Sequence, residues 1–302
     1  MASSPLRDQA SEAIQLLARA ATALRSYHPH MTVVGGIVPY LYRHMPQFRN
    51  PGWESLRTLD VDLTLPRSLK TAGLGSPAEL LRQAGIARVD GRTADGPGAA
   101  YYQSSHYDES KRAPVYLEFL TSKMGQGSEQ FRTIAGDIRA QTLRYIDLVQ
   151  IEPLVLDLQT VPEADVAHEV LVQVPQPALF ILPKPLIRKY RAPDKRPKDM
   201  AYVYDVVLLS RKEWSTARRV LHGEAFRSGE RNVWRRRALL KLDELFRDSS
   251  AAGAVEASLE MTARGQSIAP RAIAETVQDW LDAVWPPQWS PGLDTDSRAG
   301  RR

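Results

Sequence analysis

The sequence contains no cysteine. That absence excludes a disulfide scaffold, thiolate zinc sites and a cysteine nucleophile. It also lacks any apolar run approaching the roughly 18 residues of a membrane-spanning helix. The first residues, Met-Ala-Ser-Ser-Pro-Leu-Arg-Asp, hold no apolar signal core, so the expectation is a cytoplasmic protein with no membrane partner. Its six histidines share no metal-ligand spacing such as His-x₃-His. What remains is a globular mix, 43% hydrophobic and 25% charged over 302 residues, enough for one large domain or two ordinary ones.

Charge is unevenly placed. Residues 184–247 hold 18 Lys or Arg against 8 Asp or Glu, an excess of 10, so the rest of the chain carries −5 of the net +5. A concentrated basic region suits a polyanion, and it equally suits a set of solvated helix faces.

Apolar positions Ala13, Ile14, Leu16, Leu17, Ala20, Ala21 and Leu24 recur at spacings of three and four, which predicts an amphipathic helix over residues 11–26. Met31-Thr-Val-Val34 predicts a short strand ending at Gly35-Gly36, followed by a helix over 37–44 with Pro39 near its start. From Leu59 to Leu65 the alternation is strict: Leu59, Val61, Leu63 and Leu65 face one way, Asp60, Asp62 and Thr64 the other. Ser76-Pro-Ala-Glu79 is a capping box opening a helix over 77–84. The Gly-rich stretch 90–98 reads as a hairpin-like loop, 115–120 as a strand carrying Glu118, and 170–174 as a last strand. Residues 141–151 fit helix or strand. From Pro177 onward helical patterns dominate, over 178–190, 199–211, 213–222, 231–247 and 269–284, and the tail from Pro286 reads as disordered. The fold class is therefore α+β, an α/β part over 1–165 and a helical, basic part over 166–285.

The chemistry-bearing pattern is Val33-Val-Gly-Gly36, then Thr58-Leu-Asp-Val-Asp62, then Tyr116-Leu-Glu-Phe119. Strand periodicity sets Asp60 and Asp62 on one side, about 6.5–7 Å apart at Cα. Carboxylates so placed can share two divalent cations about 3.5–4 Å apart, with Glu118 as a third ligand. Gly35 and Gly36 let backbone approach closely, and the following helix start offers amides to phosphate. Oxygen ligands together with phosphate point to Mg²⁺.

This order resembles the DNA polymerase β-type nucleotidyltransferase superfamily, whose members carry a small-residue turn, an Asp-x-Asp strand and a later strand carboxylate. Gly35, Gly36, Asp60, Asp62 and Glu118 match those positions. A second run, Pro177-Ala-Leu-Phe-Ile-Leu-Pro-Lys184 continuing through Arg191 to Lys198-Asp199, resembles the AbiEii-like proteins and the nucleotidyltransferase toxins of type IV toxin–antitoxin systems. The resemblance covers about residues 31–210. It implies a nucleotidyltransferase-type mixed sheet and a two-metal Mg²⁺ site on Asp60, Asp62 and Glu118. It implies further that Lys184 and Arg191 bind the triphosphate of an NTP, and that Asp199 orients Lys184 or a nucleophile. The helical part would then complete the site. The pattern is departed from at Gly36, where many members have Ser, and at Pro183 and Pro185, which flank Lys184 and disturb a regular helix. The basic segment after Arg191 is long, so Asp205 competes with Asp199 for the active position.

The expected activity is transfer of a nucleoside monophosphate to RNA, tRNA in particular, by a toxin neutralised by an antitoxin protein. The alternatives are transfer to a protein or small-molecule hydroxyl, such as an antibiotic, and a catalytically silent RNA-binding module. Arg235, Arg236 and Arg237 are candidate nucleic-acid contacts; Trp234, Trp280 and Trp285 read as core.

Overall fold

The structure, a computed structural model, describes residues 5–48, 52–53, 60–69, 73–93, 96–104, 115–123, 125 and 129–285. Thr58, Leu59, His106 and the tail from Pro286 lie outside them. The chain divides into two compact units, Met1–Pro183 and Lys184–Arg302.

The first unit runs α1 (Pro5–Ala23), β1 (Thr32–Val34), α2 (Val38–Tyr42), β2 (Val61–Thr64), α3 (Pro77–Gln83), β3 (Ile86–Thr93), β4 (Gly96–Ser104), β5 (Leu117–Ser122), β6 (Phe131–Ile134), β7 (Ile138–Leu143), β8 (Leu154–Asp157), β9 (Leu171–Val174) and α4 (Pro177–Ile181). Its strands form one sheet in the order β3-β4-β5-β2-β1-β9-β8, with β7 also paired to β5 and β6 paired to β7. Pairing is mixed: β1 is antiparallel to β2, and β2 is parallel to β5. The expected α+β class is what the chain adopts.

Alternation explains both faces of the central strands. Val33, Val61, Leu63, Leu117, Phe119 and Tyr102 point into the core, each at most 1% exposed. The apolar stripe of α1, from Ala13 to Ala21, is buried as its spacing predicts, and so is Leu24 just past the helix end. On the opposite sheet face, a 3-10 turn (Ile146–Gln150) covers the far end: Val149 packs with Val34 and Leu120, and Gln150 Nε2 donates to Thr64 Oγ1 at 3.1 Å. The end of that face bearing Asp60, Asp62 and Glu118 keeps solvent access.

Several expectations change in detail. Most of 90–98 is strand rather than loop, because β3 and β4 form a long hairpin reaching Thr93 and Gly96. Residues 141–151 split into the end of β7 and the 3-10 turn. Half of the capping box forms: Ser76 Oγ accepts from Glu79 N at 3.0 Å, while the Glu79 carboxylate pairs with Arg82 and Gln83. β9 and α4, assigned from sequence to the second part, belong to the first unit.

The second unit contains α5 (Pro183–Ile187, from its second residue), α6 (Arg196–Leu209), α7 (Trp214–Leu221), α8 (Gly229–Phe246), α9 (Ala252–Ala263) and α10 (Pro270–Val284). The expected helix over 178–190 is broken at the prolines, into α4, α5 and a 3-10 turn at Arg188–Tyr190. Sequence periodicity misses α9, which is rich in Ala and offers little apolar contrast between its faces. Helix α6 is buried on nearly every side, packed against α9 and α10. Ile273, Val277, Trp280 and Val284 of α10 are fully buried at helical spacing, which places Trp280 in the core as expected. Among the described residues no helix is long and apolar enough to cross a membrane.

Candidate active site

In the first unit the site is a row across the sheet. Val34 of β1 lies opposite Asp62 of β2, Asp62 beside Glu118 of β5, and Glu118 opposite Tyr101 of β4. Residues directly paired across a ladder share a face, so Asp62, Glu118 and Tyr101 point the same way. Asp60 stands two residues before Asp62 and is exposed, whereas Asp62 and Glu118 are half-buried. Backbone pairing thus brings Asp60, Asp62 and Glu118 to one face, the arrangement the alternation predicts.

The turn after β1 is shaped around that row. Gly35 adopts φ +75°, left-handed backbone that glycine alone takes without strain. A Cβ built there would lie 2.0 Å from Asp62 Oδ2 and 3.0 Å from its Cγ. The Asp62 carboxylate therefore occupies the space that any other side chain at 35 would fill. Gly36 is buried in the short 3-10 turn Gly35–Ile37. The helix start expected to present amides to phosphate is this turn, in which the Val38 amide donates to Gly35 O.

The donor set consists of carboxylate oxygens alone, which suits a hard divalent cation, and the Gly35 cradle holds one of the carboxylates against backbone. Among the described residues no three His, Cys, Asp or Glu side chains converge into a group that could already hold a metal.

Two tyrosines share this face. Tyr101 and Tyr116 are half-buried, with ring centroids 5.4 Å apart and planes inclined by 50°. Burial raises the Tyr101 phenol pKa, and the Glu118 and Asp60 charges raise it further. Sequence reasoning passed over both rings. The signal was present, since Tyr116 precedes Glu118 by two residues and so faces the same way.

In the second unit Asp199, in the first turn of α6, is 4% exposed and takes two cations. Lys184 Nζ donates to its Oδ1 and Arg191 Nε to its Oδ2, each at 2.8 Å. Burial pushes the Asp199 pKa up, but the Lys184 and Arg191 charges and hydrogen bonds outweigh it and hold the carboxyl below its usual value. Lys184 Nζ also sits 5.0 Å from the Tyr202 ring centroid. The ammonium is thus fixed by a carboxylate and an aromatic face, with its side chain 12% exposed; Arg191 is 40% exposed. Asp205, the competing carboxylate, is wholly buried about one and two-thirds turns further along α6.

The remaining cations have separate positions. Arg188, unassigned by sequence, makes a two-point pair with Glu256 of α9 at 2.5 and 2.6 Å. Arg235 donates to Leu221 O, at the end of α7, and to Asn232 Oδ1. Burial and the Arg236 charge lower its pKa. Arg236 and Arg237 are exposed. His222 Nε2 lies 2.9 Å from Val284 O.

No curated protein matches the chain. A family model described as "Nucleotidyltransferase" matches residues 11–221, a span that contains Gly35, Asp60, Asp62, Glu118, Lys184, Arg191 and Asp199. That match covers more than half of the sequence, and the chain belongs to this nucleotidyltransferase family.

Proposed function

We propose that the chain transfers a nucleoside monophosphate from an NTP to an acceptor hydroxyl, with RNA, tRNA in particular, as the acceptor. The observation that carries the reading is the fit of the Asp62 carboxylate against Gly35, with Glu118 in register beside it. A side chain at 35 would displace the carboxylate, so turn and acid act as one unit.

Asp60, Asp62 and Glu118 would hold Mg²⁺. When bound, the metal supplies activation of the attacking hydroxyl and stabilisation of charge on the phosphorus. Lys184 and Arg191 bind the triphosphate, the lysine as a point charge and the arginine through its exposed guanidinium edge. Asp199 restrains both cations before substrate arrives, which lowers the entropy lost in ordering two long side chains. The acceptor rests on the basic excess in 184–247. A toxin role, with an antitoxin partner, rests on the sequence resemblance of the Lys184–Asp199 run to AbiEii-like and type IV toxins.

Total tRNA, each α-labelled NTP and Mg²⁺ test the reading with wild type, Asp62→Ala and Lys184→Ala. Label on RNA with wild type alone supports it. Label on protein or on a small molecule moves the acceptor to those classes, and absence of transfer with every NTP favours a silent RNA-binding module.

A further inference from the structure

The nucleotidyltransferase reading leaves Tyr101 and Tyr116 without a role, yet both stand on the carboxylate face. Two rows define their place. One runs Val34–Asp62–Glu118–Tyr101 over four adjacent strands. The second follows from the same registers: Asp60 precedes Val61, whose amide donates to Tyr116 O at 2.8 Å, and Gln103 stands across from Tyr116. Three carboxylates therefore occupy the middle of the face, the glycine turn bounds one side, and the tyrosines with Gln103 bound the other.

With strands about 4.8 Å apart, the turn on β1 and Tyr101 on β4 are separated by about 14 Å. In a phosphoryl transfer on the middle carboxylates, a phosphate chain entering by the glycines leaves the opposite side to the group that attacks. The two rings there are partly exposed and meet in a tilted contact, with planes inclined by 50°. Among the described residues neither phenol oxygen makes a hydrogen bond to protein. Protein packing thus leaves part of each tyrosine exposed.

We propose that Tyr101 and Tyr116 form a stacking seat for a nucleobase of the acceptor strand, beside the attacking hydroxyl. This rests on the nucleotidyltransferase reading and deepens it: the acceptor class is single-stranded RNA, held by a base as well as by its phosphates. A base on an aromatic ring suits this position because every base has a π face, so stacking positions a strand end without demanding one sequence.

The test is binding first and transfer second. A fluorescein-labelled eight-nucleotide oligoadenylate is titrated, at one salt concentration, into wild type, Tyr101→Ala, Tyr116→Ala and the ring-preserving double variant Tyr101→Phe/Tyr116→Phe. Mg-ATP, Mg-CTP, Mg-GTP and Mg-UTP binding is measured on the same proteins, with melting curves to confirm folding. Each alanine variant is expected to weaken oligonucleotide binding about ten-fold or more. The double phenylalanine variant should stay within about threefold of wild type, and the alanine variants should keep NTP binding. Alanine variants that bind the oligonucleotide like wild type overturn the proposal. So does an equal loss of NTP affinity, which would give the rings to the incoming nucleotide. If wild type transfers label to RNA while the alanine variants are unaffected, the seat falls and the enzyme reading stands. If wild type neither binds the oligonucleotide nor labels RNA, both fall together.

Discussion

At position 35 a hydrogen stands where any other amino acid carries a carbon, and Asp62 occupies the difference. Gly35→Ala is therefore expected to push the carboxylate out of its place by about an ångström or more, and such a displacement costs about 100-fold in rate. Single-turnover label transfer by the folded variant measures it. Asp199 is a second residue whose surroundings decide its effect. Asp199→Asn leaves two cations facing a neutral amide in a largely buried position, with an expected loss of about 3 kcal/mol in urea unfolding. The sign with pH is fixed by the lowered carboxyl. The folded state binds its proton less readily than the unfolded chain, so the stabilisation is full above the ordinary value of 3.8 and is lost as pH falls through the lowered one. Melting curves of wild type and Asp199→Asn should therefore converge as the pH drops below 3.8.

The arginines of α8 separate on the scale of the element. Arg235 ties α8 to the last carbonyl of α7, whereas Arg236 and Arg237 face solvent. Arg235→Ala should lower the melting temperature. Arg236→Ala and Arg237→Ala should leave it unchanged while each reduces the salt slope of RNA binding by about one unit, provided they touch phosphate. The α8–α9 corner depends on a glycine whose added Cβ would meet Leu245 O at 2.7 Å and Phe246 at 3.1 Å. Gly253→Val is expected to destabilise by about 1–3 kcal/mol in chemical denaturation. Elements also show why some of the structure could be read in advance. The alternation at Asp60–Leu65 and the stripe of α1 each bury one clear face, so period alone located them. The β3–β4 hairpin has glycines and charges on an outer strand, and α9 has alanines on several faces, so neither carries the contrast on which periodicity depends. The carboxylates were legible for the same reason as β2, and Tyr101 was hidden with its strand.

For the whole molecule, the family match and the packing end in different places. The match stops at Leu221, the last residue of α7, yet α6 within it is buried against α9 and α10 beyond it. A chain ending at 221 would expose the apolar sides of α6 along most of its length. It is expected to be insoluble or to lose its cooperative unfolding transition, as circular dichroism and analytical gel filtration would show. Charge belongs to the same scale. The basic excess of 184–247 lies wholly in the second unit, and several of its members are already committed to Asp199, Glu256 and Leu221 O. Fewer cationic side chains are thus left to contact a polyanion than the sequence count suggests.

The row from Val34 to Tyr101 draws its members from four strands, and each owes its direction to a ladder position. A strand has only two sides, so adding or deleting a single residue within β2 or β5 would invert everything beyond it and bury a carboxylate where Leu63 or Leu117 now lies. Length changes in the connections between strands carry no such penalty, because they leave the ladder intact. The sheet works as a reading frame for the site: its loops can drift in length, while inside the strands a single-residue change exchanges the acidic face for the greasy one.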